Sequence, residues 1–154
     1  MGKIITEGII VLAAFASMEG VAWLTHKYIM HGLLWRLHKD HHKKESPGFF
    51  EHNDFFFLIF AIPGIAALML GTLGGYPLLA PIGLGITLYG MAYFLVHDIF
   101  IHQRFRLFRH TDNAYFRAIR RAHKTHHKHI GKEDGECFGM LWVPFKYFME
   151  SKKA

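Results

Sequence analysis

The sequence predicts an all-α integral membrane protein, with about three transmembrane helices and cytoplasmic helices that carry histidine. Three observations support that fold class. Apolar residues make up 51% of the 154 and charged residues only 19%, against the ~25% charged residues of an ordinary soluble domain. Between Phe55 and Val96 the chain runs 42 residues without an Asp, Glu, Lys or Arg, and so short a chain cannot enclose such a run on every side. Seventeen of the eighteen Lys and Arg fall in two segments, 25–54 and 97–154, as expected when the basic loops share one side of a bilayer.

The first span is read at residues 4–24, IITEGIIVLAAFASMEGVAWL. Its length matches the ~20 residues that a helix needs to cross ~30 Å of hydrocarbon. Lys3 stands alone before it and no A-x-A-like site follows, so the segment is expected to be retained rather than cleaved as a signal peptide. The second and third spans, 55–73 and 78–96, are separated by Gly74-Gly75-Tyr76-Pro77 and read as a helical hairpin. Their Gly and Pro residues are tolerated because neighbouring helices satisfy the freed backbone groups. Residues 1–154 are then a single membrane domain. Segment 25–54, with Lys27, Arg36, Lys39, Lys43 and Lys44, and segment 97–154, with twelve more Lys and Arg, are cytoplasmic. The N-terminus lies outside and the C-terminus inside.

The tail stretch FGMLWVPFKYF, 138–148, is apolar enough to lie on the bilayer surface and too short to cross it. Trp23, Trp35 and Trp142 read as an interfacial aromatic belt. The basic segments suit anionic headgroups or an acidic protein partner. Nucleic acid is disfavoured, because the basic residues are interleaved with histidines beside the bilayer. A single cysteine, Cys137, excludes an internal disulfide and a thiolate-built metal site. No nucleophile–base pair for hydrolysis and no glycine-rich phosphate loop stands out.

Histidine is the outlier, with 13 residues against 12 Asp and Glu. Ten of them form four clusters: His26 and His31; His38, His41 and His42; His97 and His102; His123, His126 and His127. Each half of the chain supplies a pair at the end of a span and then a triplet. On a helix, positions i, i+3 and i+4 share a face, so each triplet is expected to point at one centre. The i, i+5 pairs are rotated by about 140° on a regular helix. Either the helix bends or ends there, or the two residues of a pair serve different ions. One ion takes about six ligands at most in the octahedral case, so ten imidazoles imply two ions. Imidazole suits Fe, Zn, Cu and Ni. Two redox ions beside apolar volume suggest oxygen activation on a greasy substrate. A metal carrier or sensor is the alternative, although a transporter would place its ligands near the bilayer midplane. His52, His110 and His129 read as solvated or supporting residues.

Glu19 lies inside the first span, where a charge is costly and marks a functional candidate. It precedes His26 by seven residues, two helical turns, and is expected to hold that imidazole in one tautomer. Asp98, beside His97, and Asp40, inside the second cluster, are candidates for similar roles.

Taken together, Met18-Glu19, HKYIMHG at 26–32, LHKDHH at 37–42, HDIFIHQR at 97–104 and AHKTHH at 122–127 resemble the bacterial β-carotene hydroxylases of the fatty acid hydroxylase/sterol desaturase superfamily. Weaker matches are Glu51, Asn53 and Asp54, and the run GKEDGECFGMLWVP at 131–144. The resemblance covers nearly the whole chain. It implies a membrane di-iron monooxygenase of the inner (cytoplasmic) membrane, a β-carotene 3-hydroxylase in activity. Two iron ions would be held at the cytoplasmic face by His26, His31, His38, His41, His42, His97, His102, His123, His126 and His127. It further implies O2 as co-substrate and electrons from NAD(P)H through a reductase and a ferredoxin-like donor. The β-ionone rings of β-carotene would be hydroxylated to give β-cryptoxanthin and then zeaxanthin. Another lipid or sterol hydroxylase of the superfamily is the nearest alternative. The span aromatics Phe55, Phe56, Phe57 and Phe94 are expected to shape an apolar slot.

Overall fold

A computed structural model of the chain describes residues 1–43, 48–105, 107–133 and 135–151. Lys44 and Asp134, which belong to segments named above, lie outside the described residues. Helix α1 spans Gly2–Leu24 and leads into a π-helical stretch, Thr25–Leu33. Helix α2 spans Trp35–His42, and a 3-10 turn at His52–Asp54 precedes α3, Phe55–Thr72. Helix α4 covers Leu79–Tyr93 and runs into a second π-helical stretch, Phe94–Ile101. Helices α5, Ala114–His126, and α6, Phe145–Ser151, complete the order. There is no strand among the described residues.

Three helical stretches are long and apolar enough to cross a membrane: Gly2–Leu33, His52–Thr72 and Leu79–Ile101. Within their most apolar windows only 6%, 11% and 22% of residues are buried. Helices apolar all round would have to be hidden in a soluble protein, whereas lipid covers them without help from the chain. The all-α membrane fold class follows from this.

The described chain forms two compact units, Met1–Met18 with Asp54–Ala92, and Glu19–Asn53 with Tyr93–Ala154. The first is built from the start of α1, α3 and most of α4. Its helices approach closely at glycine. A Cβ at Gly85 would lie 2.6 Å from the Ala14 Cβ, and one at Gly83 would lie 2.8 Å from the Gly64 carbonyl oxygen. Small residues permit such contact between helices where lipid gives no hydrophobic drive to associate. Phe15 and Tyr89 close edge to face, with ring centroids 5.6 Å apart.

The second unit contains all thirteen histidines. Helix α5 starts at Asn113, whose Oδ1 accepts from the N–H groups of Tyr115 at 3.0 Å and Phe116 at 3.2 Å. This satisfies donors that a helix start leaves orphaned. One face of α5 is buried at Ala118, Ile119, Ala122, His123 and His126. Ala118 and Ala122 meet Tyr147 of α6, with Cys137, Val143 and Phe148 around them. The apolar tail therefore ends in a short helix seated on α5, while Trp142 and Phe145 remain exposed. Arg120 ties the connection before α5 to it, donating to the carbonyls of Phe100, Phe108 and Arg109 at 2.8–3.0 Å.

Candidate metal centre

His26 and His31 sit on the first π-helical stretch, and His97 sits on the second with His102 as its C-cap. There the backbone bonds reach five residues back: Leu34 N–H donates to Ile29 at 2.7 Å, and His102 N–H to His97 at 2.9 Å. An i→i+5 turn is wider than an α turn, and it brings residues five apart onto one face. The rings of His26 and His31 accordingly lie 5.1 Å apart, and those of His97 and His102 4.5 Å apart. Of the two ways out foreseen for a regular helix the first applies: the helix changes its hydrogen-bond spacing at both pairs, and at the second it also ends, with His102 as its C-cap.

The triplets behave differently from the expectation that each points at one centre. The ligand-capable nitrogens form two sets: His26, His31, His38, His42 and His126 in one, His41, His97, His102 and His123 in the other. Each triplet is divided. The cause is angular. Relative to position i, i+3 lies about 60° to one side and i+4 about 40° to the other. Adjacent histidines therefore diverge by about 100° and serve neighbouring centres. His127 touches both sets. Its ring stacks on His42 at 4.4 Å, and its Nε2 lies 2.9 Å from that of His123. The sets adjoin, with the His41 and His42 rings 6.0 Å apart.

The chemistry of the nitrogens fits cations. The Nδ1–H groups of His26, His31 and His126 donate to the carbonyls of Phe138, Ile130 and Glu136 at 2.8, 2.8 and 3.0 Å. His38 Nδ1–H donates to Asn53 Oδ1 at 2.6 Å. A carbonyl oxygen can only accept, so each Nε2 is left as a bare lone pair. Yet Nε2 of His26 lies 3.0 Å from that of His38, and Nε2 of His31 lies 3.2 Å from that of His126. Lone pairs facing at this distance repel unless a cation lies between them. Adjacent ligands at bond lengths of about 2.1 Å reach a comparable spacing. In the other set, Nε2 of His41 and of His97 are buried without a hydrogen-bond partner.

Burial, aided by neighbouring imidazoles, keeps the rings neutral. It lowers His38 and His42 to about 3 and His127 to about 4. His41, His102, His123 and His126 are lowered for the same reason. A neutral imidazole is the form that binds a metal.

The carboxylates divide as well. Asp98 Oδ2 faces His97 Nδ1 at 3.4 Å. Glu19 bonds to a turn far from His26 in the sequence. Its Oε1 accepts from the backbone N–H groups of Met140, Leu141 and Trp142 at 2.8–2.9 Å. It anchors the turn that follows Phe138, and the Phe138 carbonyl is what orients His26. A Cβ at Gly139 would lie 2.5 Å from that same Oε1. Asp40 acts in a parallel way. Buried, it accepts from His52 N–H at 2.6 Å, His52 Nδ1 at 2.8 Å and Asn53 N–H. Burial opposes its charge, but these hydrogen bonds prevail and hold its carboxyl below the usual range. Asp40 thus fixes the loop that presents Asn53 to His38.

His52 serves Asp40, and His110 and His129 are exposed. Trp35 lies beside the site, 5.3 Å from His31 and 5.6 Å from His42. Glu51, whose Oε2 accepts from His41 Nδ1 at 3.0 Å, and Asn53 were only weak motif matches in the sequence. Of the three residues whose carbonyls accept, Glu136 and Phe138 lie in the weakly matching run 131–144 and Ile130 lies just before it. Cys137, between two of these carbonyls, adopts a left-handed φ of 60°. Burial pushes its thiol up to about 11, away from the thiolate form.

Comparison with known proteins places this geometry in context. The fatty acid hydroxylase family matches residues 11–150. The β-carotene hydroxylase of Pseudescherichia vulneris is 41% identical over 139 residues, covering 90% of this chain and 78% of that protein. The β-carotene hydroxylase of Pantoea ananas is 41% identical, covering 91% of this chain and 79% of its own length. The chloroplastic β-carotene 3-hydroxylase of Gentiana lutea is 41% identical over 86% of this chain and 42% of its own. No solved structure gives a significant match.

Proposed function

The chain belongs to the fatty acid hydroxylase family, and on that premise we propose that it hydroxylates the β-ionone rings of carotenoids, converting β-carotene through β-cryptoxanthin to zeaxanthin. The observation that carries the reading is the set of facing, proton-free Nε2 atoms in two adjoining histidine clusters. The ten clustered histidines would hold two iron ions, which when bound would supply the oxygen-activating chemistry. Each turnover inserts one oxygen atom of O2 into a C–H bond; the other leaves as water, with two electrons and two protons consumed. The electrons come from NAD(P)H through a reductase and a ferredoxin-like donor.

The chain's own residues do the positioning. Phe138, Ile130, Glu136 and Asn53 fix the imidazoles of one set by accepting from Nδ1, and Glu51 and Asp98 do so in the other. Such partners set ring orientation and ligand basicity. The apolar helices keep the enzyme in the phase where a hydrocarbon substrate dissolves. On this reading the histidines face the cytoplasm in a multi-pass protein, a reading supported by the basic residues of their segments.

The test is expression in cells that accumulate β-carotene, with extraction of pigments and metal analysis of the purified protein. Zeaxanthin and two irons per chain are expected. Unchanged β-carotene from a protein that holds two ions would redirect the reading to another lipid or sterol, and absence of a bound ion pair would overturn it.

A further inference from the structure

We propose that Arg104 is a positioning residue that holds Glu51 and Asp98 in place behind the smaller histidine set, and that these two carboxylates make the two sets electrically unequal. The inference rests on reading the histidines as ligands of two ions. In the smaller set, the groups behind the imidazoles are carboxylates. His41 Nδ1–H donates to Glu51 Oε2 at 3.0 Å, and His97 Nδ1 faces Asp98 Oδ2 at 3.4 Å. Arg104 joins the two acids, with Nη1 3.3 Å from Asp98 Oδ1 and Nη2 3.4 Å from Glu51 Oε2. The three side chains are only 14–17% exposed, so solvent screens the arrangement weakly. In the larger set, the acceptors that orient His26, His31, His126 and His38 are neutral: three carbonyls and an amide.

The backbone is shaped to deliver this residue. Gln103 takes a left-handed φ of 52°, and Arg104 N–H returns to the Asp98 carbonyl at 3.0 Å. The guanidinium lies 5.6 Å from the Phe49 ring centroid. Two buried carboxylates near one another repel. A guanidinium is always charged, and its planar fork can answer both at once, which a lysine ammonium cannot do equally well. Two acids and one arginine leave one net negative charge behind the four-imidazole set. A carboxylate behind an imidazole also raises its basicity as a ligand. The ion beside His41 and His97 is therefore held in the more electron-rich site, and the ion beside His26 and His38 in the neutral one.

The experiment uses the full-length protein in detergent, loaded with 57Fe(II), and reads iron per chain, chelator-driven release of each ion and the Mössbauer spectrum. Wild type is expected to show two irons in two distinguishable environments. In R104Q one environment shifts and its ion is released 10–100-fold more readily, the range for loss of a supporting partner; the other is unmoved. R104K recovers part of the effect. N53A, which removes the acceptor of His38, perturbs the opposite signal. Should R104Q fail to accumulate in folded form, E51Q removes the charge behind His41 at nearly constant volume and is read in the same way. Equal weakening of both ions by R104Q, the same signal moving in R104Q and N53A, or no change at all would overturn the inference while two bound irons left the hydroxylase reading intact. A wild-type protein without an ion pair would overturn both.

Discussion

In the first half of the chain, Leu34 alone separates the π-helical stretch that carries His26 and His31 from α2, which carries His38, His41 and His42. In the second half, residues 102–113 intervene between the matching π-helical stretch and the start of α5, which leads into the second triplet. The local geometry is the same in both: an i→i+5 turn for the pair and a helix for the triplet. The delivery differs. The short connection leaves α2 little freedom. The long one needs clamps, and Arg120 supplies three hydrogen bonds to the carbonyls of Phe100, Phe108 and Arg109. Local spacing therefore dictates how each word folds, and the angles within each triplet, together with the packing of the helices, decide which set each histidine joins. Neither half completes a set: His41 leaves the first half for the second half's set, and His126 makes the opposite crossing.

That crossing gives the largest expected effect. His126→Ala should abolish turnover and release the ion beside His26, His31, His38 and His42, all of which lie in the other half of the chain. His41→Ala should abolish turnover and release the ion beside His97, His102 and His123. Metal analysis of the purified variants should give about one ion per chain in each, and their Mössbauer spectra should retain opposite signals. If each variant lost the ion of its own half, the crossing would be wrong.

A second, smaller effect separates anchoring from ligation. Glu19 and Asp40 each hold backbone N–H groups of a loop that in turn supplies an acceptor to a histidine. Hydrogen bonds to a charged group contribute about 1.5–3 kcal/mol. Glu19→Gln should speed amide exchange at 140–142 and lower turnover about tenfold, the low end for loss of a supporting partner, with both ions still bound at saturating iron. Asp40→Asn should do the same at 52–53. Full exchange protection in Glu19→Gln would remove the anchoring role.

Much of this was readable from composition and spacing. The spans expected at 4–24, 55–73 and 78–96 correspond to α1, α3 and α4 within a few residues, because an uncharged run of that length has few ways to fold. The four histidine clusters were visible from the spacing of a single residue type. The π-helical stretches were not, since i, i+5 spacing conflicts with a regular helix until the backbone bonds are seen. The division of the triplets needs the position of the neighbouring helix. Glu19 meets a turn more than a hundred residues away, and its seven-residue spacing to His26 suggested a nearer partner. Backbone carbonyl acceptors leave no side-chain trace at all.

The smallest effect concerns one of those carbonyl pairs. Cys137 sits between Glu136 and Phe138, whose carbonyls accept from His126 and His26, and its left-handed φ of 60° aims both at the larger set. An L-residue in that conformation carries about 1–2 kcal/mol of strain, and a β-branched one is a genuine outlier there. Cys137→Gly should stay within about 1 kcal/mol of wild type, because relief of strain is offset by the greater freedom of glycine in the unfolded chain. Cys137→Val should lower the unfolding temperature and loosen only the ion beside His26 and His126. The ion backed by Glu51 and Asp98 draws no acceptor from this strand of carbonyls, so its release rate should match wild type. A valine variant that loosened both ions equally would mean that the two sets are not supported independently.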